Sequence, residues 1–136
     1  MSDAKKILII DDEKDAQDFV EAVLSEIPNV TIARAGNGAE GMKTARQDKP
    51  DLICLDVQMP EKNGFEVFRE LREDKNMKAI PVIMMTGVGQ KVPVHFTAEE
   101  VGKLLGESPN AYIEKPLDPV ALRKKAEELL GLAKTA

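Results

Sequence analysis

At 136 residues, with 43% hydrophobic and 32% charged, the chain suits one soluble domain with a real core and has no obvious room for two. A formal net charge of −5 argues against a binder of phosphate backbones, which needs a basic face. One cysteine excludes an internal disulfide framework and a multi-cysteine metal site, and no apolar stretch approaches the ~18 residues of a membrane span. The short apolar run behind Lys5 and Lys6 ends at Asp11, too soon for a secretory signal, so a cytoplasmic location is expected.

The first predicted element is the apolar run Ile7–Ile10, too short for a helix and closed by Asp11-Asp12. A helix follows, with Ala16, Phe19, Val20, Val23, Leu24 and Ile27 at three- and four-residue steps until Pro28 stops the pattern. Val30–Ala33 reads as a weaker strand. A second helix begins after Asn37-Gly38 and carries Ala39, Met42 and Ala45. The run Leu52–Leu55 is the third strand, with Cys54 as a small core residue. A helix starting near Gly64 buries Val67, Phe68 and Leu71, and Val82–Met85 is the fourth strand.

Thr97 and Glu100 have capping-box spacing ahead of Val101, Leu104 and Leu105, with Gly106 as the stop of a fourth helix. Ala111–Ile113 gives a short fifth strand. The fifth helix has Asp118 as its cap, Pro119 in its first turn, Leu122, Ala126 and Leu129 on its apolar face, and Gly131 at its end. Strand and helix thus alternate five times, a (βα)5 pattern that predicts a doubly wound, five-stranded parallel sheet. The first, third and fourth strands are apolar throughout, as strands covered on both faces are. Placing them centrally leaves the second and fifth as edges, the 2-1-3-4-5 order of flavodoxin-like α/β folds. One domain is expected over residues 1–136, with a core at about 5–131. The few residues after Gly131 are too few for a linker and an output domain.

In such a sheet, ligands bind beyond the carboxyl ends of the strands. Strand one ends in Asp11-Asp12, strand three in Asp56 and strand four in Thr86, while strand five leads into Lys115-Pro116. Three carboxylates, a hydroxyl and an ammonium converge on one edge. Carboxylates ~4 Å apart repel by about 4 kcal/mol per pair at an effective dielectric of ~20, a cost that a divalent cation offsets. With oxygen donors alone, Mg²⁺ is preferred to Zn²⁺. A carboxylate in that setting can act as a nucleophile toward phosphorus and form an acyl phosphate.

With these residues in place, nearly the whole chain resembles the receiver domain of two-component response regulators, the chemotaxis CheY type. The matching stretches are Ile7 to Glu13, Pro50 to Pro60, Asn63 to Glu66, Met84 to Gly87 and Tyr112 to Pro116. The resemblance implies that Asp56 is the phosphoacceptor. It implies Mg²⁺ ligation by Asp12, Asp56 and the backbone carbonyl of Gln58, with Asp11 acting largely through water. Thr86 and Lys115 would meet phosphoryl oxygens, the Lys115-Pro116 bond would be the family's cis peptide, and Tyr112 would be the switch aromatic. As Thr86 is drawn to the phosphate, the ring would turn inward and change the face made by helix four, strand five and helix five.

The implied partners are a histidine kinase or histidine phosphotransfer protein and a downstream protein target, with no nucleic acid or membrane. The chain would be a monomer or a phosphorylation-dependent dimer, and a phosphoacceptor rather than an enzyme. Two departures touch the signalling surface: the long segment from Gly87 to Phe96, expected to cap the acceptor site or to form partner surface, and Ser108-Pro109-Asn110-Ala111 before strand five. His95 within it, the single histidine, reads as an exposed loop residue. A phosphorylation-independent interaction module is the alternative, disfavoured because the full acid, hydroxyl and lysine set is present. A haloacid-dehalogenase-type phosphohydrolase would need an Asp-x-Asp pattern after the first strand, and Asp11-Asp12-Glu13 lacks it.

Overall fold

The computed structural model describes residues 4–57, 59, 63–86, 111–114 and 117–131. The helix predicted from Thr97 to Gly106 and the segment Gly87–Phe96 lie outside the described residues. Five strands run parallel in the order β2-β1-β3-β4-β5: β1 Lys5–Ile10, β2 Val30–Ala35, β3 Leu52–Asp56, β4 Val82–Thr86 and β5 Ala111–Glu114. The strand order and the parallel sheet are those expected from the sequence. The described helices are α1 Lys14–Leu24, α2 Gly38–Asp48, α3 Gly64–Glu73 and α4 Pro119–Leu129, the last being the fifth in the sequence reading. Among the described residues no helix is long and apolar enough to cross a membrane.

Because successive strand residues point to opposite faces, each central strand feeds two cores. Leu8, Ile10, Ile53, Leu55, Val82 and Met84 pack with Met42, Val67, Phe68 and Leu71 of α2 and α3. Ile7, Ile9, Leu52, Cys54, Ile83 and Met85 pack with Val20, Val23, Leu24, Leu122 and Ala126 of α1 and α4.

Local chemistry sets the helix ends. Asn37 accepts from the Glu40 amide at 2.8 Å to start α2. Asn63 and Glu66 exchange bonds of 3.0 Å in a full capping box at the head of α3. Asp118 accepts from Val120 and Ala121 ahead of Pro119, so both predicted cap residues of α4 hold. Helix α1 closes at Leu24, not at Pro28. Beyond Leu24 the amides of Glu26 and Ile27 reach back three residues, to Val23 and Leu24, tightening the turn before the proline.

Two readings of the apolar faces need correction. Phe19 is 40% exposed, so the buried stripe of α1 is Val20, Val23 and Leu24, with Ile27 buried beyond the helix. Ala39 is exposed and α2 instead buries Gly38, Gly41, Met42 and Ala45. On the outside, Arg34 of β2 bonds Asp18 at 2.6 Å and Glu21 at 3.2 Å, joining an edge strand to α1. The Arg34 guanidinium, aided by Lys14, holds the Asp18 carboxyl below its ordinary range.

Candidate acidic phosphoacceptor site

The parallel register brings the carboxyl ends of the strands to one edge. Ile10 pairs with Leu55 and Asp56 with Met85, while Thr86 and Glu114 pair one step further on. At that edge the carboxylate oxygens of Asp11, Asp12 and Asp56 lie within 4.8 Å of one another. Asp11 is fully buried, Asp56 is 4% exposed and Asp12 faces solvent. At this separation and an effective dielectric of ~20, each pair of ionised carboxylates repels by roughly 3–4 kcal/mol. The donor set therefore fits a hard cation: all oxygen, anionic, and open to solvent on the Asp12 side.

The end of β3 is held on both sides. The Val57 amide bonds the Met85 carbonyl of β4 at 2.9 Å, and the Gly64 amide bonds the Val57 carbonyl at 2.8 Å. Gly64 opens α3 directly against this backbone. A methyl group built on it would overlap the Asp56 carbonyl oxygen and come within 2.8 Å of the Val57 Cα. Glycine is required here for close approach, and the Asn63–Glu66 box sets the helix angle that permits it.

The end of β1 is held differently. The Asp11 amide continues the ladder to the Ala35 carbonyl at 3.1 Å, and Asp11 Oδ1 accepts from the Glu13 amide at 3.0 Å, turning the chain into α1. Gln17 Nε2 donates to the Asp11 carbonyl at 2.6 Å and to the Ala35 carbonyl at 3.2 Å.

Of the residues singled out in the sequence, Asp11, Asp12 and Asp56 are brought together, and Thr86 ends the strand beside Asp56. Tyr112 lies in β5, in register with Met84. Gln58, Lys115 and Pro116 lie outside the described residues. Sequence reasoning missed the contributions of Gln17 and Gly64. The Asn63-x-x-Glu66 spacing could have flagged the second, whereas nothing local flags the first.

Both the sequence and the doubly wound fold are similar to those of known proteins. Residues 7–127 match the family described as the response regulator receiver domain, and the chain belongs to that family of two-component signalling proteins. It is similar to protein PilH of Pseudomonas aeruginosa, 35% identical over 93% of this chain and 98% of that one. It is also similar to chemotaxis protein CheY1 of Helicobacter pylori, 34% identical over 93% of this chain and 97% of that one. Other curated relatives are longer, and the chain spans about half of their length. Among solved structures, the signal receiver domain of a signal transduction histidine kinase from Syntrophus aciditrophicus superposes with a TM-score of 0.78 at 28% identity, covering 98% of this chain and 95% of that one.

Proposed function

We propose that this chain is a phosphoacceptor switch in which Asp56 takes a phosphoryl group from the phosphohistidine of a histidine kinase or histidine phosphotransfer protein. The observation that carries the reading is the set of three carboxylates within 4.8 Å, with Asp56 at the tip of a central strand. One Asp56 oxygen forms the bond to phosphorus as the phosphorus–nitrogen bond of the donor breaks, and the electron pair stays on the imidazole nitrogen.

Asp12, Asp56 and the Gln58 carbonyl would hold Mg²⁺, with Asp11 acting through water. When bound, the ion supplies charge neutralisation among the carboxylates and the incoming phosphoryl oxygens. The Thr86 hydroxyl and the Lys115 ammonium take the remaining phosphoryl oxygens. The pull on Thr86 favours the inward position of Tyr112 and shifts the population of the face made by residues 97–106, β5 and α4, where a target protein binds. We read residues 1–136 as one receiver domain acting in the cytoplasm.

The test is incubation with Mg²⁺ and acetyl phosphate, followed by intact-mass measurement. A single added phosphoryl group that disappears in Asp56→Asn supports the reading. An unlabelled parent would leave an interaction module that works without phosphorylation, and repeated turnover of phosphate esters would make it a hydrolase.

A further inference from the structure

We propose that Gln17 is a positioning residue for the cation site: its side-chain amide fixes the Asp11–Asp12 peptide and thereby aims the Asp12 carboxylate. The proposal rests on reading the acid cluster as a cation site. Asp12 is exposed, so packing does little to fix it. What orients it is the backbone it hangs from. The Asp11 carbonyl and the Asp12 nitrogen belong to one planar unit, so a bond to the first sets the tilt of the second.

Gln17 makes that bond at 2.6 Å from the first turn of α1, and its second bond, 3.2 Å to the Ala35 carbonyl, ties the same amide to the end of β2. Both neighbours are carbonyl oxygens, so only the NH₂ side of the amide satisfies them. The Ala35 carbonyl also receives the Asp11 amide at 3.1 Å, and the Asp11 carboxylate receives the Glu13 amide at 3.0 Å. The Asp11 amide, carbonyl and carboxylate are thus all engaged, and Gln17 supplies a side-chain donor to the carbonyl. Groups that orient metal ligands in this way typically govern metal affinity by about ten- to a hundredfold.

The experiment uses the full chain with Gln17→Met, which keeps the shape and drops the donor, and Gln17→Glu, which sets a carboxylate against two carbonyls. Mg²⁺ binding is measured by calorimetry, and exchange of the Asp11 and Glu13 amides by NMR without metal. We expect about tenfold weaker Mg²⁺ binding and faster Glu13 exchange in Gln17→Met. Gln17→Glu is also expected to bind more weakly, although its added negative charge alone would tighten binding. Leu24→Ala, which destabilises α1 away from the site, should leave the affinity of the folded protein unchanged. Parental affinity and parental exchange in Gln17→Met would overturn the proposal, as would tighter binding by Gln17→Glu. If the parent itself binds no Mg²⁺, the cation reading of the cluster fails on its own, and Glu13 exchange still decides whether Gln17 orders this turn.

Discussion

On the α2–α3 face of the sheet two glycines bring helix backbone against the strands, whereas α1 and α4 contain no glycine and meet the sheet through side chains. Gly41 sits where a methyl group would come within 2.5–2.9 Å of the Ile10 side chain, and Gly64 lies against the backbone of Asp56 and Val57. The opposite face is spaced by Val20, Val23, Leu24 and Leu122, and a groove of about 370 Å³ opens between α1 and α4 beside Val120, which is 74% exposed. The difference divides the labour at the site. The end of β3 is fixed by backbone contact from one side, and the acid pair after β1 by a polar side chain from the other.

The largest effect should come from Phe68→Ala, which empties a fully buried site and removes the ring under the Arg72 guanidinium, 4.7 Å from its centroid. A loss of about 3–5 kcal/mol by urea unfolding is expected, against the low end of roughly 2–5 kcal/mol for Leu122→Ala on the α1–α4 face. Equal losses would erase the contrast between the faces. Gly64→Ala comes next, at about 1–3 kcal/mol, with slower acetyl phosphate labelling expected because the added methyl group pushes on the Asp56 backbone. Gly41→Ala meets the Ile10 side chain first and should leave the labelling rate unchanged; a slowed rate would show that the effect is not specific to the backbone contact at Asp56.

A smaller effect concerns Cys54, whose thiol is pushed by burial from its ordinary 9.0 up to about 12. The folded state keeps the proton that the unfolded chain releases first, so this contribution to stability is intact below about pH 9 and is lost as pH rises toward 12. Denaturation curves of the parent and Cys54→Ala across that window should converge with rising pH, and thiol reagents should not label the native protein. The smallest effect is that of Phe19→Gln, within about 0.5 kcal/mol, since that ring is already 40% exposed.

The sheet was legible because Ile7–Ile10, Leu52–Leu55 and Val82–Met85 are apolar on both faces, as strands between two helical layers are. The acids could be grouped because strand order alone puts Asp11, Asp12 and Asp56 at one edge. Helix phase was harder to read. Steps of three and four fit Phe19 as well as Val20, and only the packed structure shows which side faces the sheet. Gly41 carries no hydrophobic signal, so the pattern points to Ala39 in its stead. Gln17 acts on carbonyls six and eighteen residues away, and a polar residue on a helix surface says nothing of such partners.

The alternation that feeds two cores from one strand also decides where the chain tolerates changes of length. Leu52 and Cys54 serve one layer, while Ile53 and Leu55 serve the other. Deleting one residue between them would exchange the two sets and swing the Asp56 carboxylate to the opposite side of the sheet, stranding it from its acidic neighbours. An insertion in the turn Ser25–Asn29, by contrast, would leave that parity untouched. Within this scaffold, divergence in length belongs to the connections, and the strands can vary only by substitution.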